Sequence, residues 1–251
     1  VALYTNNGSQ SFTKTVIDSD LIEPHHVECT DLNDDGYMDI IATGRTSDKI
    51  IWYSNDGSQN FTENMLRDDL NGAITFFISD VDEDGDKDIV VAELDGGKVA
   101  YLSNDGSESF TNTTIATINR VRAVSAADVD GDGDLDIAAQ TASGNNTADD
   151  KIVWYANNGS ESFTEYDVDT DLSYPYRFNL VDIDGDGDLD MVTAARQGDE
   201  VVWYENVDGG YTLGVSLSGS ATGAEVLTVS PASNAIYDVA GNVASTSQSY
   251  N

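Results

Sequence analysis

The sequence contains little cysteine and little proline. It has 1 cysteine and 3 prolines among 251 residues, against 22 glycines. The single cysteine, Cys29, excludes an intrachain disulfide, so the loops of a secreted chain would need another restraint, and a bound metal ion is suited to that role. Cys29 itself is expected to be a small apolar core residue. Few prolines and many glycines favour short strands joined by tight turns.

Basic residues are scarce as well. Lys and Arg together number 11 against 46 Asp and Glu, which gives a formal net charge of −35. This balance excludes non-specific binding of nucleic acid, because such binding requires Lys and Arg to displace counterions from phosphates. No run of 18 apolar residues is present, so no membrane-spanning segment is expected. The acidic surface attracts divalent cations, and it also contributes to solubility.

Four acidic segments of nine residues recur along the chain. They begin at Asp31, Asp80, Asp128 and Asp182, at spacings of 49, 48 and 54 residues. Acidic or amide side chains occupy positions 1, 3, 5 and 9 of each segment, and glycine occupies position 6. The residues expected to bind metal, through side chains or through the carbonyl of position 7, are Asp31, Asn33, Asp35, Tyr37, Asp39, Asp80, Asp82, Asp84, Asp86, Asp88, Asp128, Asp130, Asp132, Asp134, Asp136, Asp182, Asp184, Asp186, Asp188 and Asp190.

This spacing predicts about four structural calcium ions, because calcium takes about six to eight oxygen ligands in a flexible geometry. The helical calcium hand closes its site with Glu at position 12. Here that position is Ala42, Val91, Ala139 or Thr193, so the ninth Asp is expected to close the site. One alternative is an acidic, solvated turn without metal. Another is magnesium, which keeps its own waters and rarely uses such full protein cages.

Two further motifs keep the same period. An aromatic segment, Ile50-Ile-Trp-Tyr-Ser-Asn-Asp-Gly, recurs in altered form at residues 1, 99, 152 and 201, and a Phe-Thr pair follows all but the last copy. Each unit is therefore expected to form four short strands, with an Asn- and Gly-containing hairpin turn between the third and the fourth. A period near 50 residues with four strands per unit indicates the blades of a β-propeller. Trp52, Trp154 and Trp203 are expected in the core between blades.

The acidic segments and their flanking strands resemble FG-GAP or VCBS-type repeats, which occur in integrin-like propellers and in many bacterial surface proteins. The resemblance covers residues 1–213 and implies an all-β, calcium-binding β-propeller with four full repeats and part of another. It also implies an extracellular location, either secreted or at the cell surface. Complete propellers of this family typically have about seven blades. The chain is therefore cut from a longer protein, closes as a small ring, or is completed by another chain.

Residues 214–251 form a second, β-rich region in this interpretation. The segment Asp238-Val-Ala-Gly-Asn242 resembles a turn of bacterial immunoglobulin-like adhesin repeats. A complete sandwich of that kind needs about 100 residues. The tail is therefore expected to be a partial domain or a strand-forming linker that packs on the ring.

Basic and aromatic residues gather in the loops at the other end of the predicted blades. The residues expected to form a ligand face there are His25, His26, Arg120, Arg122, Tyr176, Arg177 and Arg196. Arginine beside aromatic rings suits a carboxylated or sulfated sugar, or an acidic peptide. The alternative is that these residues pair locally with the surrounding carboxylates.

Three functions remain open at this stage. The favoured one is an extracellular, calcium-stabilised adhesion or interaction module with a protein or carbohydrate ligand at the cell surface. The second is a lectin-like propeller, and the third is a structural repeat of a fibre or surface layer that neighbouring chains complete by self-assembly. Enzymatic activity is not expected, because no nucleophile motif is present and the aspartates are assigned to metal.

Overall fold

The computed structural model of the chain describes residues 1–143, 150–207 and 210–218, and two short strands at 228–229 and 248–249. All regular elements in these ranges are β-strands, which confirms the all-β class. The first two, β1 (Ala2–Asn6) and β2 (Phe12–Val16), pair as an antiparallel hairpin. This hairpin is the partial repeat that the sequence places before the first full one.

Four antiparallel sheets of four strands follow the hairpin. Blade 1 comprises β3 (Pro24–Thr30), β4 (Asp39–Gly44), β5 (Lys49–Asn55) and β6 (Phe61–Arg67), and blade 2 comprises β7 (Ala73–Ser79), β8 (Asp88–Glu93), β9 (Lys98–Asn104) and β10 (Phe110–Thr117). Blade 3 comprises β11 (Val121–Ala127), β12 (Asp136–Thr141), β13 (Ile152–Asn157) and β14 (Phe163–Asp169), and blade 4 comprises β15 (Pro175–Val181), β16 (Asp190–Ala195), β17 (Glu200–Val207) and β18 (Gly210–Ser218). Strand order follows chain order in every sheet, as in the blades of a propeller.

The end of the chain adds one small pairing. Strand β18 runs from Gly210 to Ser218, across the predicted boundary at residue 213. Beyond it, β19 (Thr228–Val229) pairs antiparallel with β20 (Gln248–Ser249). The segment Asp238–Asn242, on which the resemblance to an adhesin repeat rests, lies outside the described residues.

The third strand of each blade shows how neighbouring blades pack. Successive side chains on a strand point to opposite faces, and here one face meets the next blade while the other meets the preceding one. Trp52 packs in one cluster with Phe76 of blade 2, and Trp154 packs in another with Phe178 of blade 4. Both tryptophans are 3% exposed, which confirms the prediction that they lie between blades.

The two terminal blades each have a face that no described blade covers. On β17 the side chain of Val202 is 2% exposed, whereas that of Val201 is 48% exposed because it points away from blade 3. Trp203 shares that outer face and is only half-buried. On β3 of blade 1, Val27 and Cys29 lie on one face and are both exposed. The expectation that Cys29 is a core residue is therefore wrong, because only the short β1–β2 hairpin precedes its blade.

Candidate metal centres

Each acidic loop joins the first strand of a blade to the second, so the four loops share one end of the blades. In the second loop, Asp80 Oδ2 accepts a hydrogen bond from Gly85 N at 3.0 Å. Asp84 Oδ1 accepts one from Asp86 N at 2.9 Å. Gly85 has a φ of 101°, in the left-handed region that favours glycine. The loop thus curls around its own first carboxylate.

The other loops repeat this geometry. Gly36, Gly133 and Gly187 donate to the carboxylate at position 1 at 2.8, 3.1 and 3.2 Å. The first loop differs in one bond, because Asp35 N donates to Asp31 Oδ1 at 3.1 Å rather than to the side chain at position 3. One backbone conformation therefore serves four different sequences.

The ninth residue of each loop is a fully buried aspartate at the start of the second strand. In blade 2, Asp88 Oδ2 accepts hydrogen bonds from Val81 N at 2.8 Å and from the Tyr101 hydroxyl at 3.0 Å. Asp88 Oδ1 accepts one from Asn104 N at 2.8 Å. The carboxylate therefore joins the loop to the end of the third strand.

Burial makes the charge on these carboxylates unfavourable in the absence of a cation. Desolvation raises the pKa of Asp88 and of Asp136 to about 6, although backbone hydrogen bonds act in the opposite direction. In the third loop, desolvation and the neighbouring charge of Asp132 raise the pKa of Asp130. A bound cation would offset both the desolvation and the repulsion between carboxylates.

Positions 1, 3 and 9 converge in three of the loops. Each of the three residues offers one ligand atom, and within a triad these atoms lie within 4.8 Å of one another. The triads are Asp80, Asp82 and Asp88; Asp128, Asp130 and Asp136; and Asp182, Asp184 and Asp190. The first loop has Asn33 at position 3, so its corresponding set is Asp31, Asn33 and Asp39.

Two buried oxygens in these loops lack a hydrogen-bond partner. They are Asn33 Oδ1 in the first loop and Asp80 Oδ1 in the second. A buried polar atom without a partner costs about 1–3 kcal/mol, and a cation beside it would satisfy it. The side chains gathered here offer only oxygen donors, which hard divalent cations such as calcium prefer. The residues present therefore fit a hard cation.

The remaining predicted ligands have other contacts. At position 5, one carboxylate oxygen accepts the amide of position 7 in every loop, as with Asp132 and Asp134 N at 3.0 Å. At position 7, the side chains of Asp86 and Asp134 lie against Gly106 and Gly159 of the turn between the third and fourth strands. A Cβ at these glycines would lie 2.3 and 2.7 Å from a carboxylate oxygen, so the contact requires glycine.

A recurrent asparagine at the end of each third strand contributes to the loop, and sequence reasoning had assigned it only to a hairpin turn. Its backbone amide donates to Oδ1 of the ninth Asp at 2.7 to 2.9 Å. Its side-chain amide donates to the carbonyl of position 8 at 3.0 to 3.3 Å. These residues are Asn55, Asn104, Asn157 and Asn206. Their recurrence in all four repeats was the signal available in the sequence.

The residues of the predicted ligand face lie at the opposite end of the blades. His25 and His26 are on β3, Arg122 is on β11, and Tyr176 and Arg177 are on β15, all near the start of their strands. Arg120 precedes β11 and Arg196 follows β16, so both lie at the same end. The loops carry these residues away from the acidic end of the molecule.

Part of this predicted face forms one contact cluster, which includes a tyrosine that the sequence analysis did not select. The guanidinium carbon of Arg122 lies 5.2 Å from the ring centroid of Tyr174 and 5.7 Å from that of Tyr176. The guanidinium carbon of Arg196 lies 5.8 Å from the ring centroid of Tyr174. These distances are in the range of cation–π contacts.

Comparison with known proteins supports the repeat assignment. Residues 31–91 and 80–139 match the model of the FG-GAP-like repeat, so this part of the chain consists of FG-GAP-like repeats. The two matched segments span the first three acidic loops. No curated protein matches the sequence.

Several solved structures share the fold at low sequence identity. A Lactobacillus plantarum protein matches with a TM-score of 0.58 and 14% identity, over 86% of this chain and 64% of its own. A Bacteroides uniformis protein described provisionally as a 6-phosphogluconolactonase matches with a TM-score of 0.52 and 19% identity, over 77% of this chain and 55% of its own. The Vibrio cholerae biofilm matrix protein Bap1 matches with a TM-score of 0.50 and 17% identity, over 74% of this chain and 27% of its own. The chain thus spans less than two thirds of the length of each.

These likenesses correct one prediction. The expectation that the chain is not an enzyme is contradicted, because proteins with this fold include the provisional 6-phosphogluconolactonase. The lack of a nucleophile motif therefore does not exclude catalysis on such a scaffold. At 19% identity the likeness establishes the fold alone, and no activity passes from that protein to this chain.

The expectation of no membrane-spanning segment has a structural counterpart. Within the part of the chain that the structure describes, no helix has the length and apolar character needed to cross a bilayer.

Proposed function

We propose that this chain is an extracellular repeat module whose blades are stabilised by calcium bound in the acidic loops. The observation that carries the proposal is the pair of buried loop oxygens without a hydrogen-bond partner, Asn33 Oδ1 and Asp80 Oδ1. Each lies in a loop whose other oxygens gather around the same region. A bound cation gives these oxygens the partner that the protein itself does not supply.

The side chains at positions 1, 3 and 9 would hold the ion. At position 5 one carboxylate oxygen already accepts a backbone amide, so the other oxygen is the donor available to the ion. The carbonyl of position 7 would supply a further oxygen, as the spacing predicts. The bound ion would supply positive charge, and the protein would supply the cage and its attachment to the third strand through the ninth Asp.

Calcium fits a structural role in this chain better than a catalytic one. The loops connect strands within each blade, and one cysteine allows no intrachain disulfide. Extracellular modules bind calcium with a Kd of about 10⁻⁴–10⁻³ M. At a free calcium concentration about 100 times Kd, each site would add about 2.7 kcal/mol to the free energy of unfolding. Four such sites would govern whether the blades remain folded.

The module would present a ligand-binding surface to a protein or carbohydrate partner at the cell surface. The match to FG-GAP-like repeats supports an extracellular repeat module. A biofilm matrix protein is among the proteins with this fold. Two alternative roles, a lectin-like propeller and a structural repeat that neighbouring chains complete, share the same calcium-dependent fold.

Calcium titration of the metal-free protein tests the proposal. After treatment with chelator, isothermal titration calorimetry with calcium should give about four sites, and thermal melting should rise by at least about 5 °C with calcium. Magnesium should produce a smaller shift, because it resists dehydration. Absence of binding heat, or equal melting in calcium and in chelator, would refute the proposal.

Two single variants locate the sites. Asp130→Ala removes a member of the third triad and should lower the calcium stoichiometry by one site. Asp171→Ala removes an exposed carboxylate outside the loops and should leave the stoichiometry unchanged. Equal stoichiometry in both variants would place the calcium elsewhere. Analytical ultracentrifugation of the calcium-bound protein then separates a monomeric binding module from a self-assembling fibre or layer.

A further inference from the structure

The basic end of the blades differs from the rest of this acidic chain in the way its arginines are paired. Elsewhere basic side chains contact carboxylates, as Arg45 does with Asp95 at 3.0 Å and Lys87 with Asp34 at 2.8 Å. Among the described residues, no carboxylate forms an ion pair with any of the following arginines: Arg120, Arg122, Arg177 and Arg196. The alternative of purely local pairing, left open by the sequence, does not hold for these four within the described structure.

The carboxylates that lie nearby are already engaged by other groups. Asp95 accepts two hydrogen bonds from Arg45, both at 3.0 Å. Asp150 accepts the amides of Ser143 and Tyr174 at 2.5 and 2.9 Å. Positive charge at this end is therefore available to a ligand from outside.

A third carboxylate, Glu28, faces the same region from β3. Its oxygen lies 3.4 Å from His26 Nε2, and the positive charge of Arg177 acts on it from a distance. Burial, followed by the charges of Arg177 and His25, lowers the pKa of His26 to about 4. The histidine is thus neutral at physiological pH, and the local potential is positive despite the presence of Glu28.

The guanidinium group of Arg122 is held in a defined orientation. Its Nε donates to the carbonyl of Ala142 at 3.1 Å, while Tyr174 and Tyr176 lie beside it at cation–π distance. The two terminal nitrogens make no hydrogen bond to a described residue. Such a fixed, planar pair of donors matches the two oxygens of a carboxylate and loses little conformational freedom on binding.

Residues from three blades face this point. Arg122, Arg177 and Arg45 all act electrostatically on His25, which places the four side chains in one neighbourhood although they come from different sheets. Beside them Tyr176 is 48% exposed, so a large part of its ring is open to solvent. The cluster therefore combines fixed positive charge with an accessible aromatic surface.

We propose that the cluster of Arg122, Arg177, Arg196, Tyr174 and Tyr176 binds the uronate units of an acidic polysaccharide. A uronate carries its carboxylate on a rigid ring, so one unit can present the carboxylate to Arg122 while its ring lies on Tyr176. The ring is stiff, so its ordering is less costly than that of a flexible acidic side chain. This assignment deepens the proposed function, on which it rests, by naming the class of ligand.

An acidic peptide is the less suitable occupant. Extended peptides gain much of their affinity by pairing their backbone with a free strand edge. The first strands of blades 3 and 4 pack against neighbouring blades, and the cluster offers guanidinium groups and ring surface at their beginnings. The overall charge of −35 does not prevent binding, because at physiological salt the field of remote carboxylates is screened within about 8 Å.

Binding of trigalacturonate to the calcium-loaded protein tests this assignment. Calorimetry at fixed free calcium should detect binding that weakens as sodium chloride is raised. The fully methyl-esterified trimer keeps the rings and loses the charges, so it should bind at least about tenfold more weakly. Poly-glutamate is the competing probe, and equal affinity for it would overturn the choice of a sugar ligand in favour of an acidic peptide.

Variants show whether the cluster is the binding site. The double variant R122Q/R177Q should lower affinity for trigalacturonate by about 100-fold, because each lost charged contact is worth about a factor of ten. The variant Y176L, which keeps both arginines, should lower it by about fivefold. Lys14→Gln, which removes one positive charge from the β1–β2 hairpin, should bind like the parent.

The outcomes are separable from those of the proposed function. If the parent protein melts higher with calcium but binds no trigalacturonate, the assignment of a uronate site is wrong and the calcium-stabilised module stands. If the double variant binds like the parent with an unchanged melting temperature, the site lies elsewhere. If the protein binds trigalacturonate while calcium has no effect on melting, the proposed function fails and the uronate site stands.

Discussion

The two ends of the blades are built in different ways. At the acidic end, the same loop bonds, buried aspartate and asparagine clamp recur in all four blades. At the opposite end, the second residue of the first strand changes from blade to blade, as His25, Ile74, Arg122 and Tyr176. Repetition indicates a shared structural task in every blade, whereas variation at equivalent positions permits a single, asymmetric binding surface. Stability should therefore depend mainly on the acidic end, and ligand recognition on the other.

The largest effect is expected for the buried aspartate of the third loop. Asp136→Ala leaves the amides of Val129 and Asn157, each now bonded to it at 2.8 Å, buried without a partner. Each lost bond of this kind costs about 1–3 kcal/mol, so we expect the free energy of unfolding to fall by about 3 kcal/mol. Urea unfolding in calcium-free buffer measures this loss without the contribution of metal.

Asp134→Ala is the matched control in the same loop, because its side chain lies against the turn at Gly159 and holds no second strand. It should lower the free energy of unfolding by less than about 1 kcal/mol, as is usual for surface substitutions. Losses of similar size in the two variants would show that loop charge, and not the buried clamp, sets the stability of the acidic end.

A smaller effect concerns pH in the calcium-free protein. The folded-state pKa of Asp88 and of Asp136 is about 6, above the ordinary value of 3.8. The folded protein therefore binds more protons than the unfolded chain between about pH 4 and 6, so its stability falls as pH rises through this window. The penalty is absent below about pH 4 and complete above about pH 6. We expect a loss of about 2 kcal/mol across the window in urea unfolding at fixed ionic strength, with one pKa unit worth about 1.4 kcal/mol.

The double variant D88N/D136N removes both titrating groups, so the pH dependence in this window should become flatter. A parent protein whose stability rises between pH 4 and 6 without calcium would contradict the prediction. The opposite end of the blades should contribute little in this window, since the pKa of His26 is already lowered to about 4.

A still smaller effect is expected for the asparagine clamp. Asn104→Ala keeps the backbone amide that binds Asp88, but it removes the side-chain bonds to Lys87 O and from Gly106 N, both at 3.2 Å. We expect the free energy of unfolding to fall by about 1 kcal/mol and calcium affinity at the second loop to weaken measurably. Asn112→Ala, on the exposed side of β10, serves as the control and should change neither quantity. Equal behaviour of the two variants would mean that Asn104 acts only in the turn.

The smallest effect on stability belongs to the opposite end. Arg122→Gln loses a hydrogen bond to Ala142 O and two cation–π contacts at a partly exposed position. We expect the free energy of unfolding to change by less than about 1 kcal/mol, while affinity for an anionic sugar falls. A destabilisation as large as that of Asp136→Ala would remove the distinction between the two ends, because it would make Arg122 part of the structural framework.

The sequence by itself determined the strands, the blades and the acidic loops. These features depend on local patterns, such as the alternation of apolar residues and the spacing of Asp and Gly within nine positions. The sequence also placed the tryptophans between blades, because a four-stranded repeat can bury its faces only against its neighbours.

Tertiary structure alone decided how residues from separate repeats meet. Arg122 contacts Tyr174, 52 residues further along the chain, because blades 3 and 4 bring two loops of unrelated sequence together. The exposure of Cys29 likewise depends on whether a blade covers β3, and its own sequence context reads as core. The buried oxygen of Asp80 without a partner is also a property of the folded loop. Such features depend on contacts between distant segments, and a pattern within one repeat does not encode them.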